Sequence, residues 1–339
     1  MVKKNYKAWH LEPIKFSDAW SDAEKLRLFA RYATLAPSGH NTQPWKLKLV
    51  DSTLELHINR HHHLSSDGSG LLSVEPYVSL GAFLETFSMA AQGLGHSVNT
   101  KMVLVKDKIA ELSIKDNEIP EDPRLIEAIT HRVSNRNPFE KSHIDPKLLN
   151  DIDADDFSGV GLVKISKRKD IEYIAEETAT AVESIMRKPL YRRELSRWVR
   201  TNHTRKYDGM PGFTHGFGGV QSLVSRIAVR HMPKHGLMAR KSKELIRNSG
   251  ALIIVTCKDN SKNSFVNAGR AYARIAILAT KDGFATSAVG ASVVDPETRE
   301  SVKKHFSIND RPIFILRMGL PTVRARHSPR WPVEQLGLS

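Results

Sequence analysis

The chain has 339 residues, one cysteine, 40% hydrophobic and 26% charged residues, a globular mixture that excludes global disorder and a disulfide-stapled scaffold. No apolar run approaches the ~20 residues of a membrane-spanning helix, and MVKKNYKAWHLEP carries lysines without the apolar stretch of a secretory signal; the expectation is a soluble, cytoplasmic protein with no membrane partner. Fifty-one Lys and Arg against thirty-seven Asp and Glu give a net charge of +14, which points first to nucleic acid or an acidic membrane surface.

Ser21 and Glu24 form a capping-box pattern ahead of Leu26, Phe29, Ala30 and Ala33 at helical spacing, and Pro37 stops the run. After APSGHNTQP, Trp45, Leu47 and Leu49 alternate with lysines and turn at Asp51 and Ser52 into Leu54, Leu56 and Ile58, a half-buried hairpin. The helical spacing from Val78 to Leu94 ends at Gly95, and strand-like VNTKMVLV and IAELSI follow. Asp122 and Pro123 start another helix. The chain thus divides into a first half over residues 1–118 and a second over 119–339.

A helix from about Asp170 to Met186 precedes the basic segment. Between Arg187 and Arg247 fifteen Lys or Arg face three acidic residues, so most of the excess charge sits in one place. No zinc-finger spacing, aromatic RNA-binding motif or heptad repeat accompanies it, which argues against a nucleic-acid partner. Within it, DGMPGFTHGFGG holds five glycines and a proline in twelve residues and reads as a mobile loop. Helical spacing returns over Leu237 to Asn248, followed by a buried strand from Ala251 to Thr256, a helix to Gly283 and a strand from Ile313 to Met318. Helices around hydrophobic strands, with hairpins in the first half, give an α+β fold class. Gly81 to Gly95 and Gly269 to Gly283 bracket two apolar helices at a period of 188, which suits two related halves.

Four segments could carry chemistry. APSGHNTQPW places Ser38, Gly39, Asn41, Thr42 and Gln43 between prolines, equipment for a planar polar ligand or for a polar connection capping the strand of Trp45. In HRVSNRNPF, Arg132, Ser134 and Arg136 share one face of an extended chain; two guanidiniums and a hydroxyl suit a phosphate, although pairing with Glu121 or Glu127 at the surface is an alternative. The third segment is the basic tail after the last strand, with Arg324, Arg326 and Arg330, which a solvated end would explain equally. The fourth is GFATSAVGAS, with Val289 and Gly290, where a glycine allows close backbone approach or an ordinary turn. Adjacent histidines in RHHH (Arg60 to His63) lack a completing ligand set, so a loop is preferred to a metal site. Cys257, inside an apolar run, reads as buried and chemically idle.

APSGHNTQPW resembles the signature loop of the FMN-dependent nitroreductase family, and HRVSNRNPF its Arg-x-Ser-x-Arg phosphate element. Arg330, followed by WPVEQ, matches the family's closing phosphate arginine better than Arg324 or Arg326, and Val289 and Gly290 match its ring-edge segment. The ring loop occurs only in the first half, whose start WHLEPIKF lacks the arginine pair, and the phosphate element only in the second. That asymmetry resembles the Acg subgroup, single chains that mimic a nitroreductase dimer and bind one FMN.

The resemblance implies a nitroreductase-like fold with a cofactor set of Ser38, Gly39, Asn41, Gln43, Arg132, Ser134, Arg136, Val289, Gly290 and Arg330, and no identifiable catalytic acid or base. It implies hydride transfer from NADH or NADPH to FMN and on to a small-molecule acceptor such as a nitro compound or quinone, in a monomer or weak homodimer. The basic segment, placed as a lid, favours NADPH through its 2′-phosphate, with a solvated basic surface that only attracts anions in general as the alternative. The alternative implied by the subgroup is a flavin-sequestering protein with little turnover.

Overall fold

The structure, a computed structural model, describes residues 3–11, 20–64, 74–140, 144, 145, 149, 152–231 and 235–338; most of WHLEPIKF lies outside the described residues. Helix α1 (Asp22–Ala33) opens on the capping box read from the sequence, with the Ser21 amide donating to Glu24 Oε2 at 2.8 Å. Its buried residues Leu26, Phe29, Ala30 and Ala33 pack on β1 (Trp45–Val50) and β2 (Thr53–Ile58). Helix α2 (Glu75–Gly93), β3 (His96–Val105) and β4 (Lys108–Glu118) complete an antiparallel sheet ordered β1-β2-β4-β3. One face of this sheet is covered, so Trp45 and Leu47 are buried while Lys46 and Lys48 are exposed, the alternation expected of a half-buried sheet.

Helix α3 (Pro123–His131) leads to β5 (Val160–Ile165), α4 (Arg168–Arg187) and α5 (Pro189–Trp198). Next come β6 (Val199–Arg200), β7 (Met210–Pro211), α6 (Gly219–His231) and α7 (His235–Arg247). The chain continues through β8 (Ala251–Cys257), α8 (Lys262–Lys281), β9 (Ala285–Val289), α9 (Ala291–Val294), α10 (Pro296–His305) and β10 (Arg311–Gly319). The second antiparallel sheet is ordered β5-β8-β10-β9. Helix α8 covers one face through Phe265, Ala268 and Tyr272, and α4 and α7 cover the other through Ile171, Ile174 and Ile246. Covered on both sides, β8 is buried at every residue, which is why its sequence is a continuous apolar run.

The helices of the internal echo, α2 and α8, pack against each other between the two sheets. Their contact holds an ion triad around one buried carboxylate: Glu85 of α2, 1% exposed, accepts from Arg270 Nε at 3.0 Å and Arg274 Nε at 2.6 Å. The C-terminal tail returns to the first sheet, where the Leu47 amide donates to the Leu336 carbonyl at 2.8 Å and Val333, Leu336 and Leu338 join the core.

The glycine-rich stretch departs from the expectation of a mobile loop. It forms β7, a short 3-10 turn at Gly212–His215 and the start of α6. Hydrogen bonds from distant residues fix it: Asn202 Oδ1 accepts from the Phe213 amide at 2.7 Å, and Asn41 exchanges two bonds with Gly209. The glycines allow close packing: a Cβ at Gly212 would lie 2.6 Å from Ser222 Cβ. Strands β5 and β9 and helices α5, α6 and α10 have no counterpart in the sequence reading.

Candidate functional site

A cavity of about 220 Å³ lies where the loop after α1, the extended segment after α3, the stretch from Met210 to Thr214 and the C-terminal tail meet. The loop after α1 supplies Ser38 and Asn41. Helix α3 ends at His131, so Arg132 begins an extended segment, held beside β9 by the Asn135 amide donating to the Thr286 carbonyl at 2.9 Å and by a parallel bridge between Ser134 and Thr286. Extension puts Arg132, Ser134 and Arg136 together on the cavity wall, as their spacing predicts. Arg324, Arg326, Ser328 and Arg330 line it from the tail, Trp9 from the N-terminus, and Met210, Phe213 and Thr214 from the glycine-rich stretch.

Five arginines therefore line one cavity with no carboxylate among the lining residues. Arg132 and Arg330 are 3% and 5% exposed. Among the described residues none of Arg132, Arg136, Arg324, Arg326 and Arg330 makes an ion pair. Arg132 donates to the Leu35 carbonyl at 2.8 Å, and Arg330 donates to Asn41 Oδ1 at 2.6 Å and the Ala36 carbonyl at 3.3 Å. Arg330 Nε is buried without a partner. Burial, then the adjacent charge of Arg132, pushes the Arg330 guanidinium down to about 9, and burial lowers Arg132 and Arg136 as well. Guanidinium stays protonated under ordinary conditions, so these shifts express electrostatic cost that an anion in the cavity would relieve.

Four of the sequence-predicted residues stand off the cavity wall. The Gly39 amide donates to Glu75 Oε1 at 2.6 Å and Ser79 Oγ at 3.2 Å. Gln43 donates to the Tyr207 carbonyl at 2.8 Å and accepts from the Trp331 amide at 2.9 Å, joining lid to tail. Val289 pairs with Ile315 at the end of β9, and Gly290 caps α9. Asn41 does line the cavity, but its side-chain amide donates to the Gly209 and Pro329 carbonyls at 3.0 Å each. Ser38 Oγ accepts from the Gln43 amide at 3.0 Å.

The sequence reading overlooked Trp9, whose indole N–H donates to the Ser328 carbonyl at 2.8 Å and whose ring lies 5.0 Å from Arg330 Cζ. It also overlooked Phe213, over which Arg326 stacks at 4.1 Å. Neither has a local pattern that sets it apart; both are brought in by long-range packing. The arginines of the basic segment, read as lying near an incoming anion, are not among the residues lining this cavity. Arg192 donates to the Met186 and Arg187 carbonyls at 2.9 and 2.8 Å, Arg193 and Arg197 are exposed, and the basic segment offers the cavity Met210, Phe213 and Thr214 instead.

The stretch after β6 is tied to the N-terminus and to the C-terminal tail. Asn5 Nδ2 donates to the Thr204 and Lys206 carbonyls at 3.1 and 2.8 Å, and Tyr207 stacks on Trp331 at 4.6 Å. Beside the cavity, His40 and His215 are pushed down to about 4 and about 3, first by burial and then by Arg136. Cys257 is buried, its thiol pushed up to about 12 chiefly by burial. His61 is exposed, and among the described residues no group of three or more His, Cys, Asp or Glu is arranged to hold a metal. Among those residues no helix is long and apolar enough to cross a membrane.

No family model matches the chain. A Mycobacterium tuberculosis (strain H37Rv) protein named "Putative NAD(P)H nitroreductase" is 25% identical over 337 residues, covering 96% of this chain and 93% of that one. An uncharacterized protein of the same strain is 23% identical over 325 residues, covering 90% of each. Among solved structures, a "putative nitroreductase" from Anabaena variabilis superposes with a TM-score of 0.50 at 10% identity, over 94% of this chain and 92% of that one. The FMN-dependent nitroreductase NfnB from Mycobacterium smegmatis, in complex with NADPH, gives a TM-score of 0.43 at 13% identity, over 63% of this chain and 96% of that one. The fold is nitroreductase-like along nearly the whole chain, with two related halves, each with its own four-stranded sheet.

Proposed function

We propose that this cavity binds one FMN noncovalently and that the chain is an NAD(P)H oxidoreductase of nitroreductase type acting on a small acceptor such as a nitro compound or quinone. The observation that carries the reading is the convergence of Arg132, Arg136, Arg324, Arg326 and Arg330 on one cavity without a carboxylate. Paired forks of this kind match the oxygens of a phosphate dianion. Residues 1–118 would contribute the loop toward the flavin ring, and residues 119–339 the phosphate grip, in a monomer or weak homodimer.

When bound, the flavin supplies hydride chemistry. The protein's own contribution is binding, orientation and exclusion of water. Arg132, Arg136 and Arg330 would neutralise the phosphate, with Ser134 Oγ as a neutral donor. Asn41, tied at once to Gly209, Pro329 and Arg330, would register the ring loop against both the lid and the phosphate grip. Met210 and Phe213 would keep solvent from the cavity. No lining side chain is a carboxylic acid or histidine, so proton delivery by a protein acid is not part of this reading.

The closed lid favours a second reading, flavin sequestration with little turnover, because Met210, Phe213 and Thr214 occupy cavity wall that a second ligand would need. Incubation with FMN followed by gel filtration tests the shared premise: a retained flavin spectrum at one equivalent supports it, and a colourless protein removes both readings. Anaerobic mixing of the loaded protein with NADPH then separates them, rapid bleaching indicating the oxidoreductase and slow or absent bleaching the store.

A further inference from the structure

Helix α6 is amphipathic in the inverted sense. It buries Ser222 and Ser225, 1% and 4% exposed, and Ser222 Oγ accepts from the Asn202 amide at 3.1 Å. It turns Val220, Leu223, Val224 and Ile227 outward, at 80%, 58%, 57% and 62% exposure. Those four residues follow the i, i+3, i+4, i+7 spacing of a single helical stripe. A surface helix of a soluble domain ordinarily presents the opposite arrangement, and a contiguous exposed aliphatic patch marks an interaction site.

Cations surround the stripe. Arg226 and Arg230 are exposed on the same helix, and Arg193 on α5, which packs against α6. Among the described residues Arg193, Arg226 and Arg230 make no ion pair, and the further aliphatic side chain Leu190 of α5 is 65% exposed. A second copy docked through this face would set these cations against their own counterparts, a repulsion that opposes symmetric pairing. A nucleic acid would match the charge but leave the aliphatic stripe unused, and no aromatic side chain stands on the stripe to stack on a base. A surface with anionic headgroups above acyl chains satisfies both features at once.

We infer that the outer face of α6, with its flanking arginines, is a peripheral docking surface for an anionic membrane. This contact lies on the surface, without a spanning segment, and it is independent of what the cavity binds.

The test is flotation of the full chain with phosphatidylcholine vesicles, with and without phosphatidylglycerol. Binding is expected only to the anionic vesicles. Arg226→Ala with Arg230→Ala should lower it roughly tenfold to thirtyfold, and Leu223→Ser with Ile227→Ser should lower it at low salt as well. Both pairs lie at exposed positions, so circular dichroism and the melting temperature should not move. No binding to anionic vesicles, or binding indifferent to the loss of Leu223 and Ile227, would overturn the inference. So would sedimentation showing that the stripe instead holds two copies together.

Discussion

Gly81 and Gly269 face each other's helices in a reciprocal contact. A Cβ on Gly81 would stand 1.8 Å from the Val266 carbonyl oxygen, and one on Gly269 would stand 1.9 Å from that of Val78. Both pairs, 78 with 266 and 81 with 269, are separated by the 188-residue period of the internal echo. The internal echo therefore has a physical counterpart: the two helices cross at equivalent points, and only the absence of a side chain lets the backbones approach.

Because the obstructing atoms are backbone, they cannot swing aside. Gly81→Ala and Gly269→Ala should each cost about 3 kcal/mol or more, the upper range for overpacking, and by similar amounts. Gly290→Ala, whose new methyl would meet Val294 Cγ2 at an ordinary 3.6 Å, should cost little. Urea denaturation of the three variants decides it; a Gly81→Ala protein as stable as the parent would refute the close-packed pseudo-symmetric centre.

The arginine cavity predicts stabilisation by simple anions. Inorganic phosphate should raise the melting temperature of the flavin-free protein more than chloride at equal ionic strength, since bound anion relieves repulsion among Arg132, Arg136 and Arg330. Arg132→Ala should blunt that rise and weaken FMN affinity by about ten- to hundredfold, from the roughly 1.5–3 kcal/mol of a hydrogen bond to a charged group. Equal responses of parent and variant to phosphate would place the anion elsewhere.

Three depressed histidines set an acid limb of stability. Burial and Arg136 hold His40 near 4 and His215 near 3, and burial with Arg132 holds His327 near 3. Below the ordinary histidine value of 6.5 the unfolded chain takes up protons that the folded chain refuses, so stability falls as pH drops from about 6.5 toward 4. It is unaffected by these groups above that window. His215→Asn should flatten the slope of unfolding free energy against pH between 6.5 and 4. An unchanged slope would show that His215 protonates freely in the folded protein.

Much of this was legible because local patterns agreed with the final packing. The alternation around Trp45 reported a one-sided sheet, and the unbroken run at β8 a two-sided one. The spacing of Arg132, Ser134 and Arg136 reported one wall of the cavity. What stayed hidden depended on distant partners. Glycine content alone signals freedom, yet Gly209 and Gly212 serve close packing once Asn41 and Asn202 hold them. Gly39 and Gln43 have ligand-like chemistry, but Glu75, Tyr207 and Trp331 engage it. The stripe from Val220 to Ile227 has helical spacing, and it was obscured by the glycines and charges around it.

Donor preference is the last expectation to be relocated. Arg192, Arg193 and Arg197 are absent from the cavity wall, whereas Arg324 and Arg326 belong to it, and Arg326 lies over Phe213. If Arg132, Arg136 and Arg330 engage the flavin phosphate, the remaining pair is left for a further anion such as the 2′-phosphate of NADPH. Reversing the charge of Arg192, Arg193 and Arg197 together should change the rates of flavin reduction by NADPH and NADH equally, an effect that fades as salt shortens the ~8 Å Debye length. Arg326→Ala should instead lower the NADPH to NADH ratio, by about tenfold if one charged hydrogen bond is lost. A ratio that collapses in the triple variant and survives Arg326→Ala would return donor recognition to the outer face of the lid.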